Sequence, residues 1–196
     1  MMLKRMTTAE APVWEYRIWP EDAGELREQL EACFDFELEP PRTDIYFVID
    51  GEIHQQAKLR DRERLNIKER LATEGALERW QTLVDTLPPA RGKDRAVLER
   101  LYPQIDRQAS TPESLRHEFS RYARVLEARK TRLLATDESG LRAEISQIDI
   151  EGRSHESFCL EHESAEGLSE AVSGLRFSNW PNISYPAFLQ PIAFPA

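Results

Sequence analysis

Along much of the chain, apolar and polar residues alternate with a period of two, the pattern of half-buried strands. Over Val13–Trp19, Trp14, Tyr16 and Ile18 share one face, against Val13, Glu15, Arg17 and Trp19. Pro20 ends that strand. Glu21-Asp22 then opens a predicted helix with acids in its first turn and Leu26, Leu30, Cys33 and Phe34 as its apolar stripe. The Pro40-Pro41 pair predicts a stop in regular structure, followed by a strand over Ile45–Asp50 and a turn at Asp50-Gly51.

From Thr43 to Leu71 one phase of the alternation is cationic. His54, Gln56, Lys58 and Arg60 share a face, as do Arg64, Asn66, Lys68 and Arg70 after a turn at Asp61–Glu63. Two neighbouring strands would aim Lys58, Arg60, Lys68 and Arg70 at one space. A hairpin with a solvated polar face is one reading. A concave polar face that binds a polyanion is the other, favoured because the same phase keeps returning cations.

Further strands are predicted over Leu77–Val84, Val125–Leu134, Leu141–Ile150 and Ser157–Glu163, with helix as an alternative for the first half of the second. Helices are predicted over Gly92–Tyr102, after the Ser110-Thr111-Pro112-Glu113 start with Leu115 and Phe119 buried, and over about Ala165–Phe177. The proline-rich SYPAFLQPIAFPA reads as an irregular segment with its aromatics on the surface. Seven or eight strands joined by short turns suit a closed antiparallel barrel with polar phases in the lumen. The fold class is therefore α+β, an antiparallel barrel of about eight strands with flanking helices. One domain is expected over residues 13–189, between a flexible N-terminal tail over 1–12 and a C-terminal tail over 190–196.

Composition narrows the classes. The 196 residues are 31% charged and 40% apolar, which suits a soluble globular chain. No apolar run approaches a membrane span, and the first residues hold no apolar signal core, so the expectation is a cytoplasmic protein without a membrane partner. A net charge of −9 argues against nucleic acid and makes the local cation clusters more informative. Oligomeric state is left open. Cys33 and Cys159 lack metal spacing and read as buried structural thiols. His54, His117, His155 and His162 show no common ligand spacing, and the four tryptophans read as packing residues.

Several segments, in order, resemble the landmarks of the CYTH superfamily, the triphosphate tunnel metalloenzymes. They are Val13-Trp14-Glu15-Tyr16-Arg17, Asp44-Ile45-Tyr46, Lys58-Leu59-Arg60 with Lys68-Glu69-Arg70, Lys130-Thr131-Arg132, Glu161-His162-Glu163 and the closing Ser184-Tyr185. The resemblance covers roughly residues 13 to 189 and marks a divergent member. Val13 falls where the pattern has its first glutamate and Arg17 where it has a lysine; in an alternative alignment of the acidic strand, Cys159 replaces one glutamate and Glu161 keeps the other.

The resemblance implies metal-dependent hydrolysis of a triphosphate compound or inorganic polyphosphate in a cationic lumen. The alternative is a degenerate domain that binds a phosphorylated ligand or a protein partner without turnover. Glu15 and Lys58 are the catalytic candidates. Phosphate would meet Arg17, Lys58, Arg60, Lys68, Arg70, Arg79, Lys130 and Arg132, because Arg offers bidentate donors and Lys a compact charge. Glu15, Glu144, Glu161 and Glu163 would hold Mg²⁺ or Mn²⁺, hard cations that take oxygen ligands. The alternative role for Glu15 is an internal ion pair with a barrel arginine.

Overall fold

The computed structural model describes residues 11–195. The flexible tail expected over residues 1–12 therefore lies, apart from its last two positions, outside the described residues. Eight strands form a closed barrel: β1 (Val13–Ile18), β2 (Glu37–Val48), β3 (Gln55–Arg60), β4 (Arg64–Glu74), β5 (Leu77–Thr86), β6 (Arg124–Thr136), β7 (Arg142–Ile150) and β8 (Arg153–His162). Their order around it is β1-β5-β4-β3-β2-β6-β7-β8, and every neighbouring pair is antiparallel. Closure pairs both edges of every strand. This is the α+β tunnel barrel expected from the sequence.

The period-two alternation divides each strand between two environments. On one flank of the outer surface, Tyr16 and Ile18 of β1, Ala143 and Ile145 of β7 and Phe158 and Leu160 of β8 pack under α1 (Gly24–Cys33) and α4 (Ala165–Gly174). On the other flank, Ile45, Phe47, Leu59, Leu65 and Ile67 lie under α2 (Gly92–Leu101) and α3 (Pro112–Phe119). Helix α3 starts where the sequence marks it. Thr111 Oγ1 accepts from Ser114 N at 3.1 Å, and Ser114 Oγ accepts from Thr111 N at 2.9 Å. The helix then lays Phe119 flat on Phe47, with ring centroids 4.1 Å apart. Truncating a ring buried like Phe119 costs about 3–5 kcal/mol.

A third apolar cluster sits inside the barrel. Tyr46, Val48, Leu126, Ala128, Ile148 and Ile150 share strand phases with the polar residues Asp44, Lys130 and Ser146, and they enclose Tyr185, Leu189 and Ala193 of α5 (Tyr185–Ala193). The segment expected to be irregular is thus a helix that closes one end of the tunnel. Pro186 falls in its first turn, where few backbone bonds are lost. Pro191 lies within it. Burial against the inner wall outweighs its penalty of roughly 3 kcal/mol, since packing rather than propensity stabilises most short helices.

Other differences have local causes. β2 begins at Glu37 and runs through Pro40-Pro41, because its pairing with β6 shifts register between Glu39 and Arg42. Such a bulge needs no N–H from either proline. β6 is a strand throughout, paired along β2 from Glu37 to Val48, so its first half is not helical. Helix α1 starts at Gly24 rather than Glu21-Asp22, and its last residue, Cys33, is exposed. The chain leaves the barrel flank there, so only Leu26 and Leu30 are buried. Among the described residues no helix is long and apolar enough to cross a membrane.

Candidate functional site

The order of strands sorts charge before any side-chain detail matters. The cation-bearing strands β4, β3, β2 and β6 are contiguous around the barrel, and so are the acid-bearing strands β7, β8 and β1. Between them lies a cavity of about 450 Å³. Arg42, Lys58, Arg60, Lys68, Lys130 and Arg132 line one side, and Glu15, Glu144, Glu161 and Glu163 line the other, with Arg17 and Arg142 among the acids. Glu39, which pairs with Arg132, and Val13, Gln56, Trp80, Thr82 and Leu134 also line it, and Ser184, Tyr185 and Pro186 close it at the α5 end.

The cationic wall is organised by Asp44, which is fully buried. Its carboxylate meets Lys58 Nζ at 2.9 Å, Arg42 Nε at 3.2 Å and Lys130 Nζ at 3.7 Å, and accepts from the Asp61 N–H at 3.3 Å. Burial opposes its charge, but Lys58, Lys130 and Arg42 outweigh burial and hold Asp44 far below the usual carboxylate range. Burial draws the Lys58 ammonium down to about 8 against the pull of Asp44, and Arg60 and Arg42 add to the fall. Burial and then Lys58 push Lys130 well below an ordinary lysine. Lys130 donates to Tyr46 Oη and sits 3.8 Å from the Tyr185 ring centroid. One carboxylate serving three cations leaves this wall with surplus positive charge.

The acidic wall is more nearly self-compensated. Buried Arg17 donates from Nε to Glu15 at 3.1 Å, and from one terminal nitrogen to Glu144 at 3.0 Å and Ser157 Oγ at 3.1 Å. Glu144 also accepts from Arg132 at 3.2 Å and Ser146 Oγ at 2.7 Å. Burial opposes the Glu144 charge, but Arg17 and Arg132 hold its carboxyl well below the usual range. Glu161 lies differently. Burial raises its carboxyl, crowding by Glu15 and Glu144 adds to the rise, and Lys68 and Arg142 only partly offset it. Glu15, Cys159 and Glu161 each present a ligand atom within 4.8 Å of the other two. Two carboxylates and a sulfur at that spacing fit a divalent cation.

The expected residues fall into three groups. Arg17, Lys58, Arg60, Lys68, Lys130 and Arg132 all line the cavity. Arg70 and Arg79 do not: Arg70 pairs with Glu78 and approaches His54 Nδ1 at 2.5 Å, while Arg79 lies 5.8 Å from the ring of its register partner Trp14. A register shift in β4–β5 between Arg70 and Ala72 accompanies this loss of phase. Of the acids, Glu15 and Glu161 converge, Glu144 is clamped by Arg17 and Arg132, and Glu163 is exposed. Arg42 was missed, although it lies two residues before Asp44, because the neighbouring prolines masked its strand. Cys159, read as a structural thiol, lies beside Glu15 and Glu161. Its signal was the two-residue spacing to Glu161.

No protein-family model and no curated protein matches the sequence. Among solved structures, the chain is similar to HpAC1 from Hippeastrum, described with a dominant triphosphatase activity. The TM-score is 0.55 at 10% identity, over 92% of this chain and 95% of that one. Protein bh2851 from Bacillus halodurans follows at a TM-score of 0.49 and 11% identity, over 93% of this chain and 96% of that one. The Pct1 RNA triphosphatase of S. pombe gives 0.37 at 10% identity, over 94% of this chain and 82% of that one. The likeness to HpAC1 is one of fold, and it bears out the closed antiparallel tunnel barrel expected from the sequence.

Proposed function

Starting from a divergent CYTH-like barrel with opposed charged walls, we propose that the tunnel binds a triphosphate compound or inorganic polyphosphate and hydrolyses it with a divalent cation. One observation carries the reading. Eight basic and five acidic side chains line the cavity of a chain whose net charge is −9. A triphosphate, with about four negative charges, matches that surplus in kind, and low-dielectric walls strengthen the attraction.

Lys58, Arg60, Lys68 and Lys130 would hold the phosphoryl oxygens, and Arg42 would keep Asp44 from neutralising them. Glu15 and Glu161, with Cys159, would hold the cation, which when bound supplies charge neutralisation and Lewis-acid polarisation of a phosphoryl oxygen. The sulfur in that set favours Mn²⁺ over the harder Mg²⁺. Arg17 orients Glu15 through their 3.1 Å contact, and Lys58 stabilises charge that grows as the phosphoryl bond breaks. No covalent nucleophile is required.

The test is phosphate release from inorganic triphosphate with Mg²⁺ or Mn²⁺, compared with Glu15→Gln and Lys58→Ala. Release above background that is lost in both variants is expected. A second reading, binding without turnover, is favoured by Val13 in the cavity wall and by the double clamp on Glu144. It requires triphosphate to raise the melting temperature with no phosphate released under either metal.

A further inference from the structure

The inner end of the cavity is formed by the N-terminus of α5, which the functional reading leaves unused. Ser184 is the N-cap, yet its side chain makes no capping hydrogen bond. A usual donor to such a cap is the N–H two residues on, and that residue is Pro186, which has none. Ser184 is 3% exposed, and among the described residues its buried Oγ has no partner. Tyr185 is 9% exposed, and among the described residues its Oη has no hydrogen bond of acceptable geometry, although Ser157 lies near. Both residues line the cavity.

Two orphaned hydroxyls at one helix start are costly, at about 1–3 kcal/mol each. Their position is nevertheless firmly held. Arg17 N donates to Asn182 Oδ1 at 2.7 Å, Ile183 N donates to Arg17 O at 2.8 Å, and Trp19 Nε1 donates to Ile183 O at 2.8 Å. The segment entering α5 is thus stapled to β1. Lys130 Nζ and the Arg17 guanidinium lie 3.8 Å and 4.5 Å from the Tyr185 ring centroid. Two hydroxyls without partners among the described residues, two cations packed on the Tyr185 ring and the positive end of a helix therefore border the same cavity.

We infer that the Ser184 and Tyr185 hydroxyls, with the α5 N-terminus, form a seat for the innermost phosphoryl group of the bound chain. This rests on the reading that the tunnel takes a phosphate chain, and it assigns the closed end of the tunnel a role in binding. Both hydroxyls donate to phosphoryl oxygens and gain the acceptors they lack without ligand.

The test is calorimetric binding of inorganic triphosphate without divalent cation to the wild type, Ser184→Ala, Tyr185→Phe and the double variant. Tyr185→Phe keeps the ring on Lys130 and removes only the oxygen. Each single variant is expected to weaken binding about tenfold, the size of one hydrogen bond to a charged acceptor, with melting temperature unchanged or raised in the absence of ligand because an unpartnered buried hydroxyl has gone. Wild-type affinity in both single variants would overturn the seat and leave the phosphate reading standing. Absence of triphosphate binding by the wild type would overturn both. A variant that loses stability instead of affinity would show its hydroxyl to be structural, and Ser184→Ala provides the independent second measurement.

Discussion

The two walls of the tunnel hold similar numbers of ionisable groups but distribute their charge differently. On the cationic side one buried carboxylate, Asp44, is shared by Lys58, Lys130 and Arg42, so positive charge remains for an anion. On the acidic side Glu144 is divided between Arg17 and Arg132, and only Glu15, Cys159 and Glu161 remain close together with one arginine at hand. Buried charges persist only when paired or when awaiting a partner of opposite sign. The comparison teaches that, on the proposed reading, the groups for an anion and those for a cation stand on separate walls, with the anion half the better provided.

The harshest way to break that comparison is Lys58→Ala. Removing one charged phosphate contact from a dry cavity is expected to weaken metal-free triphosphate binding by about a hundredfold, measured by calorimetry. Near-wild-type affinity would show that the cationic surplus is not used.

Glu161→Gln tests the opposite wall. It is expected to cut metal-dependent phosphate release by at least about tenfold, while metal-free triphosphate affinity stays level or rises because a negative charge has gone. A parallel fall in metal-free binding would mean that the walls do not act separately.

The pH profile sharpens the contrast. Lys58 carries its charge below about 8 and loses it above, so metal-free triphosphate affinity should fall as pH rises through that value. Binding above it should take up protons. Asp44 supports the charged form of Lys58, so Asp44→Asn should move the fall to lower pH. The smallest effect expected is a gain. Val13→Glu adds a carboxylate to the cavity wall two residues from Glu15, and should raise Mn²⁺ affinity severalfold, read by isothermal titration.

Much of the site was legible because period-two alternation assigns faces without reference to distant residues. Glu15 with Arg17, Lys58 with Arg60, and Lys130 with Arg132 each fall on the cavity side as their phase requires. Phase failed where the ladder slips, at Arg70 beside the β4–β5 shift and at Arg42 beside Pro40-Pro41. The alternation also loses its contrast at the end of β7, where Ile148 and Ile150 take the inward phase of Glu144 and Ser146. Their apolar character answers α5, a segment more than thirty residues later, which fills that end of the lumen.

From the residues alone came the count of strands, the closed antiparallel barrel and the presence of a cationic phase, because each depends on local spacing and on the need to pair strand edges. Only the tertiary structure decided which charges remain available. Asp44 draws on three strands, Glu144 is clamped from two, and Ser184 and Tyr185 reach the cavity because Asn182 and Ile183 are pinned to β1. Partnership between side chains remote in sequence depends on barrel closure and register, and a linear pattern does not encode distances across a lumen.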